Sequence, residues 1–205
     1  MPTHSQKTPN SPFPALDLRV FGHDASACAY VAQTFGGTVD GSHSSECDLA
    51  IFVIDPSQGI DAATISTWES LDDAMVPRLV AVVGLENTQA DFDDAVLLAN
   101  RVFAPTVTPY LVLHDDAGIA CALIRLEDMK ILNYESFPPT IEPSEPEHQT
   151  LVSEFRTEYL EAIEVMGPDA FPAGLVFPAI PLWIEKKIGI DIIAQLIDQV
   201  QDSNN

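Results

Sequence analysis

The chain has 205 residues, enough for one packed domain or for a domain with an insert, and its hydrophobic fraction of 46% is ordinary for a globular protein. Nine basic residues against thirty-one acidic ones give a formal net charge of −22. This charge argues against nucleic acid and anionic membranes as partners, because both are bound through Lys and Arg. It permits a basic protein partner, although a solvated acidic surface explains the same charge.

The cysteines indicate the compartment. Cys28, Cys47 and Cys121 are odd in number and widely spaced, without a CxxC pair or a histidine at ligand spacing. We therefore expect no disulfide framework, no metal and no cofactor, and a reducing, cytoplasmic location. Residues 1–14 are polar and rich in Ser and Pro, so we predict a disordered tail rather than a signal peptide. No uncharged apolar run reaches membrane-spanning length.

Residues 15–105 alternate between buried strands and helices. A first strand is predicted at Leu18–Gly22, and residues 47–55 and 76–83 are apolar runs that fit strands buried on both faces. Residues 62–75 fit a helix, and another helix opens at residues 90–92. This order predicts a parallel α/β sheet with flanking helices.

Residues 106–173 have a different pattern, which predicts a small α+β insert. Residues 107–113 and 118–125 resemble two strands joined by a turn, and residues 126–134 fit a further strand pair or an extended edge. Residues 136–147 are rich in proline and acidic side chains, so we predict a linker there.

Residues 147–166 show the clearest amphipathic helix of the chain. Its apolar face is predicted to anchor the helix to the insert through Leu151, Phe155 and Ile163. The other side carries Glu154, Glu158, Glu161 and Glu164. We predict that this acidic stripe is exposed and contacts a basic protein, although such a stripe is usually a solvated face.

Residues 174–202 are predicted to return to the first unit. Residues 174–184 are apolar but contain two prolines, which favours a short buried strand followed by a loop. Residues 190–200 fit a closing helix. The predicted units are therefore a tail (1–14), a core (15–105), an insert (106–173) and this return segment (174–202).

Several short motifs follow one another in the core. They are Asp55, Gly59-Ile60, Trp68 and Val76-Pro77-Arg78. Their order resembles the G domain of elongation factor G and the related translational GTPases, and the insert resembles the G′ subdomain of that family. The resemblance runs in order over residues 16–200, and it implies a P-loop GTPase-like sheet with a G′-like insert.

The residues that perform the family's chemistry do not match. Gly22 and His23 resemble the start of its P-loop, but Cys28 stands where the family has the lysine that binds phosphate. Gly84 and Glu86 stand where the family has the lysine and aspartate of its guanine-reading motif. These five residues are predicted to form a vestigial nucleotide site.

The link between the first helix and the strand at residue 47 is also too short. Residues 38–46 leave no room for the two switch segments and two strands of a functional G domain. We therefore expect a shortened sheet in which residues 47–54 and 79–83 both pair in parallel with Leu18–Gly22. The free edge of Leu18–Gly22 should be covered by the tail, by this link or by a second copy of the chain.

These features together predict a pseudo-GTPase that is catalytically inactive and acts by protein contact. The acidic stripe corresponds to the G′ surface that meets the ribosomal stalk protein in the family, which nominates that protein as a partner. Two alternatives stay open: a GTPase that keeps nucleotide affinity through Gly22 and Glu86, and an interaction module with a non-ribosomal partner.

Three other groups of residues could carry chemistry. His23-Asp24 could be an acid/base pair, His114-Asp115-Asp116 a metal site, and Cys28 a nucleophile near a helix N-terminus. We favour a simpler interpretation of each: an inherited turn, a solvated hairpin turn and a small buried side chain.

Overall fold

A computed structural model describes residues 16–39, 46–87 and 91–204 of the chain. The predicted tail, residues 1–14, lies outside these ranges, as do residues 40–45 of the predicted link. Within the described ranges, no helix has the length and apolar character needed to cross a membrane.

The described ranges contain two sheets. Their strands, in chain order, are β1 (Leu18–Gly22), β2 (Thr38–Val39), β3 (Leu49–Ile54), β4 (Arg78–Val82), β5 (Tyr110–His114), β6 (Ala120–Arg125), β7 (Lys130–Asn133), β8 (Thr140–Pro143) and β9 (Ala179–Pro181). Five of them form a parallel sheet in the order β2-β1-β3-β4-β9, and the other four form an antiparallel sheet in the order β5-β6-β7-β8. This confirms the predicted α/β class with a small second sheet.

Helices flank the parallel sheet and border the antiparallel one. In chain order they are α1 (Ala25–Phe35), α2 (Ala62–Ser70), α3 (Phe92–Val102), α4 (Pro146–Leu151), α5 (Ser153–Met166) and α6 (Ile190–Ser203). Each of the first three begins after an aspartate whose carboxylate accepts hydrogen bonds from free N–H groups of the first turn. These aspartates are Asp24, Asp61 and Asp91.

The core lies on both faces of the parallel sheet. β3 and β4 are buried along their whole length, which explains their uninterrupted apolar sequences. On one face, Ile51 belongs to a cluster that includes Val31 of α1 and Ile193 of α6. On the other face, the rings of Phe52 and Trp68 lie 4.8 Å apart between centroids. The sheet is therefore covered by helices on both sides.

A buried arginine joins α2 to the start of β4. Arg78 is 1% exposed, and its Nη1 donates to the backbone oxygen of Trp68 at 2.8 Å. Its guanidinium lies over the rings of Trp68 and Phe177, and Asp72 is its ion-pair partner. The Val-Pro-Arg motif thus has a structural role in this chain.

One predicted strand pairing is wrong. β3 pairs with β1, but β4 pairs with β3 and β9 rather than with β1. A strand has two edges, and the second edge of β1 is taken by β2. Since β2 belongs to the link of residues 38–46, the expectation that this link covers β1 is confirmed. Pairing with a second copy of the chain through the sheet edge stays a prediction.

The predicted linker at residues 136–147 is also wrong. It contains β8 and the first residues of α4. β8 pairs with β7, with Ile131 opposite Glu142, and is exposed along its length. Proline and acidic side chains are typical of edge strands, so their presence here reflects an edge position rather than a lack of structure.

Three other predicted elements have different bounds. The predicted helix of residues 147–166 is two helices, α4 and α5, separated at Val152. The predicted helix of residues 62–75 ends with α2 at Ser70, and turns follow up to Met75, whose φ is 49°. Residues 126–134 contain one strand, β7, after a turn. The boundaries of the predicted units, at residues 105 and 173, stay a prediction.

Candidate functional site

The carboxyl ends of β1, β3 and β4 border a pocket of about 170 Å³. In open parallel sheets, this is the edge at which ligands bind. Among the predicted nucleotide-site residues, Gly84 and Glu86 line the pocket, whereas Gly22, His23 and Cys28 do not. Two of the five predicted residues therefore line the pocket, and the other three contact different parts of the molecule.

Asp24 places a carboxylate at the N-terminus of α1, within the pocket. Its Oδ1 accepts from the backbone N–H groups of Ser26 at 2.8 Å and Ala27 at 3.1 Å, and its Oδ2 accepts from the Gln58 amide at 3.2 Å. These bonds, foremost the one from Ala27, hold the pKa of Asp24 below its usual value. Free N–H groups at a helix N-terminus are what a phosphate would need. Here the Asp24 carboxylate accepts hydrogen bonds from two of these N–H groups.

Gly22 and Cys28 pack against each other and do not line the pocket. A Cβ on Gly22 would lie 2.6 Å from the Val53 carbonyl oxygen and 2.8 Å from the Cys28 sulfur. Cys28 is 1% exposed, and burial, followed by the nearby charge of Asp24, raises the pKa of its thiol to about 11. The thiol is therefore neutral at physiological pH, which fits the predicted buried side chain and not a nucleophile.

His23 does not form a pair with Asp24. Its Nδ1 lies 3.1 Å from Oδ2 of Asp61, the residue that caps α2. Hydrogen bonds from Thr64, from its side chain and from its backbone N–H, and then the His23 contact lower the pKa of Asp61 to about 2. The His23–Asp61 contact thus links the loop after β1 to the start of α2.

Asp55 and Gly84 meet at the ends of β3 and β4. Oδ1 of Asp55 accepts from the backbone N–H of Ser57 at 2.8 Å and from its hydroxyl at 2.6 Å. Gly84 has a φ of 79°, and a Cβ there would lie 3.1 Å from Asp55 Cγ. Glycine therefore suits both the left-handed backbone and the close approach. Glu86 follows in an exposed turn.

The pocket is negatively charged. The carboxylates that line it are Asp24, Asp55, Glu86 and Glu185. None of its described lining residues is Lys or Arg. Like charges repel most strongly where water is partly excluded, so a phosphate group that entered would be disfavoured.

The loop after β9 supplies lining residues that were not among the predicted site residues, at residues 182–185. Two cations follow in this loop, and both contact residues within 106–173, the predicted insert. Nζ of Lys186 donates to the Ala120 carbonyl at 3.2 Å, and Lys187 lies 5.1 Å from the ring centroid of Phe137. This loop reaches the pocket through the long-range pairing of β9 with β4, a contact that local sequence patterns do not show.

The predicted partner-binding stripe lies on α5. All four of its residues are exposed, which confirms the predicted exposure: Glu154, Glu158, Glu161 and Glu164. Their contact with a partner stays a prediction.

The predicted anchors of this helix are wrong for two of three residues. Leu151 is 77% exposed and Phe155 is 45% exposed, whereas Ile163 is half-buried. Val152 is buried instead, and Nε of Arg156 donates to the backbone oxygen of residue 126 at 3.0 Å. The break between α4 and α5 changes the helical phase, so Val152 rather than Leu151 faces the antiparallel sheet.

The hairpin turn that follows His114 is stabilised by hydrogen bonds between an aspartate side chain and the backbone of the same turn. Oδ1 of Asp115 accepts from the N–H groups of Ala117 and Ile119, each at 2.9 Å. In the part of the chain that the structure describes, no group of three or more His, Cys, Asp or Glu side chains could hold a metal ion.

Comparisons with known proteins connect part of this chain to translation factors. Over 72 residues it is 31% identical to the protein named "Elongation factor G-like protein" in two strains of Mycobacterium tuberculosis, CDC 1551 / Oshkosh and ATCC 25618 / H37Rv. The matched segment is 35% of this chain and 10% of either relative, so the chain matches about a tenth of their length. No family model matches.

A crystal structure of a protein from Thermus thermophilus has a similar fold, with a TM-score of 0.63. The likeness covers 76% of this chain and 27% of that chain, at 22% identity. At this identity it shows the fold alone. The shared segment with the mycobacterial proteins supports a relation between this chain and translation-factor domains.

Proposed function

We propose that this chain is a non-hydrolysing pseudo-GTPase, related to the nucleotide domain of elongation factor G, that acts in the cytoplasm by contact with another protein. One observation carries the proposal: the Asp24 carboxylate occupies the N-terminus of α1 within a pocket lined by carboxylates. Phosphoryl transfer depends on positioning and on stabilising negative charge, and this lining provides neither.

The partner surface in this proposal is the acidic stripe on α5. The resemblance to G′ nominates the C-terminal domain of the ribosomal stalk protein, whose binding face is basic in the family complex. Each exposed charge pair contributes roughly 0–1 kcal/mol, so we expect weak binding that falls as salt rises.

Nucleotide binding is tested by calorimetry with GTP and with GDP in the presence of magnesium. We expect dissociation constants weaker than millimolar and no phosphate release above buffer. Release that disappears in the Glu86→Gln variant would instead support the residual GTPase, since Glu86 carries that alternative together with Gly22.

Stalk binding is tested by titrating the isolated stalk domain against wild type and a variant with Glu154, Glu158 and Glu161 changed to Lys. The control makes the same charge change elsewhere, at the exposed residues Asp116, Asp198 and Asp202. We expect binding at low salt that the first variant loses and the control largely keeps. Equal binding by all three proteins, or none by wild type, would refute the stalk assignment.

Loss of the stalk assignment would leave a module with a non-ribosomal partner. That alternative is favoured by one observation, the exposed apolar side chains that lie beside the acidic stripe. They provide contact area that a purely electrostatic surface lacks.

A further inference from the structure

Apolar side chains at the junction of α4 and α5 are exposed. Leu151 and Phe155 lie on either side of this junction and both line one groove, whereas Val165 near the end of α5 is 81% exposed and does not line it. Exposed apolar patches with a polar rim mark interaction sites more often than isolated apolar residues do. The exposed apolar residues at the groove therefore form a concave surface, whereas Val165 is an isolated exposed residue.

The groove lies between the start of α3, β5 and the junction of α4 and α5, and it has a volume of about 210 Å³. Residues 111–113 of β5 line it, together with Phe92 at the start of α3 and with Leu151 and Phe155. Pockets for drug-sized ligands usually enclose about 300–1,000 Å³. This smaller space suits one or two anchoring side chains of a partner protein.

Carboxylates lie on the two helices that carry groove residues. They are Asp91, the N-cap of α3, with Asp93 and Asp94 in its first turn, and the exposed Glu154 and Glu158 on α5. Asp91 and Asp93 line the groove itself, as does His114, and none of its described lining residues is Lys or Arg. Desolvation by neighbouring groups, followed by repulsion from Asp91 and Asp94, raises the pKa of Asp93, whose side chain is still exposed at the surface. The negative charges are therefore crowded at the rim.

We propose that this groove docks a basic amphipathic segment of a protein partner. A large apolar side chain of the segment fills the space between Phe92 and Phe155, and flanking Lys or Arg side chains meet the carboxylates of α3 and α5. The proposal rests on the proposed function as a protein-contact module, and it adds the apolar anchor that the stripe lacks. Buried apolar anchors supply most of the affinity in such contacts, while charges supply orientation and association rate.

Charge argues against two other possible occupants of the groove, a second copy of the chain and the chain's own residues 1–15. A second copy of the chain would bring a surface with a net charge of −22 against these carboxylates, which opposes self-association. Residues 1–15 hold a single Lys and a single Phe, at positions 7 and 13, so they offer few of the cations that the rim would meet.

The test uses a synthetic helix-forming peptide of about 18 residues, with Leu on one face and Lys on the other. A second peptide of equal charge has Ser in place of Leu. Both are titrated against the full chain at physiological salt, and against the Leu151→Ser/Phe155→Ser and Val165→Ser variants. We expect the double variant to weaken binding of the Leu peptide by about tenfold and Val165→Ser to leave it unchanged.

Two further variants distinguish the effect of a carboxylate at the groove rim from the effect of the chain's overall negative charge. Asp93→Lys should weaken binding of both peptides more than Asp202→Lys, which makes the same charge change on α6. Equal binding by wild type and the double variant, or an equal loss in Val165→Ser, would overturn the proposal. The Asp93 comparison decides the outcome if the double variant does not fold, since unequal losses support the groove and equal losses refute it.

Each of the other possible occupants predicts a different experimental result. A wild-type dimer in sedimentation that dissociates in Phe155→Ser would assign the groove to a second copy, and peptide binding only after removal of residues 1–15 would assign it to the chain's own tail. Either result overturns the proposal. Peptide binding without stalk binding refutes the stalk assignment and leaves the groove intact, so the two failures are distinguishable.

Discussion

Two acidic regions of this molecule use their carboxylates differently. At the carboxyl edge of the parallel sheet, Asp24, Asp55 and Asp61 accept hydrogen bonds from the backbone of their own loops and helix starts. On α5, the glutamates are exposed beside apolar side chains that are exposed as well. A carboxylate bonded to its own backbone builds structure, whereas one beside exposed apolar surface is available to a partner.

The comparison assigns different roles to groups that net charge cannot distinguish. A charge of −22 is compatible with a repelled anion, a solvated surface or a bound cationic partner. If the two regions differ as described, substitutions at the sheet edge should change stability, and substitutions on the exposed side of α4 and α5 should change binding alone.

The largest loss of stability is expected for Gly22→Val. A Cβ at this position would lie 2.6 Å from the Val53 carbonyl oxygen, and the backbone cannot move away without disturbing β3. Overpacking of this kind costs about 3 kcal/mol. Urea unfolding measures the loss, with Glu86→Gln as a control in an exposed turn of the same pocket. Equal stability of Gly22→Val and wild type would show that the sheet edge is loosely packed.

A smaller loss is expected for Val152→Ala, and almost none for Leu151→Ala. Val152 is 6% exposed, and removing its two methyl groups should cost about 1.5–2 kcal/mol at roughly 0.8 kcal/mol for each buried group. Leu151 is 77% exposed, so its truncation should cost less than about 0.5 kcal/mol. Both are measured by urea unfolding. The reverse order would restore Leu151 as an anchor and remove it from the groove.

Loss of the α1 cap should cost less again. Asp24→Ala removes the acceptor for the N–H groups of Ser26 and Ala27, at about 1 kcal/mol. Asp24→Ser keeps an acceptor without the charge and should recover most of that stability. Thermal unfolding of the three proteins tests this order. If Asp24→Ser is as unstable as Asp24→Ala, the negative charge rather than the hydrogen bonds supports α1.

The parts of the fold that could be predicted have local signals. β3 and β4 are buried on both faces, so their apolar runs are visible without knowledge of their neighbours. Asp24 and Asp61 precede helices as N-caps, the position that favours aspartate. The pairing of β4 with β9 had no such local signal, because β9 is three residues long and is separated from β4 by residues 83–178 of the chain.

The candidate sites depended on contacts between distant residues. The groove joins Phe92, Leu111 and Phe155, which no sequence period connects. Helical periodicity also runs through Val152 without interruption, so the sequence predicted one helix and placed Leu151 inside. The break reverses that assignment. At the sheet edge, the resemblance grouped five residues, of which Gly84 and Glu86 line the pocket, whereas Gly22 and Cys28 pack against each other and do not line it.

The smallest expected effect is the pH dependence of the Asp61 contact. Thr64 and then His23 lower the pKa of Asp61 from 3.8 to about 2, so its ionised form is favoured in the folded state. This contribution is fully present above pH 3.8 and is lost as the pH falls towards 2. Asp61→Asn keeps an oxygen for the Thr64 N–H but cannot ionise, so it should be less stable than wild type at neutral pH and equally stable below about pH 2. Because Asp61 is 39% exposed, the difference should be on the order of 0.5 kcal/mol. Urea unfolding of both proteins from acidic to neutral pH measures it, and a difference that does not shrink on acidification would show that the charge of Asp61 is not its cause.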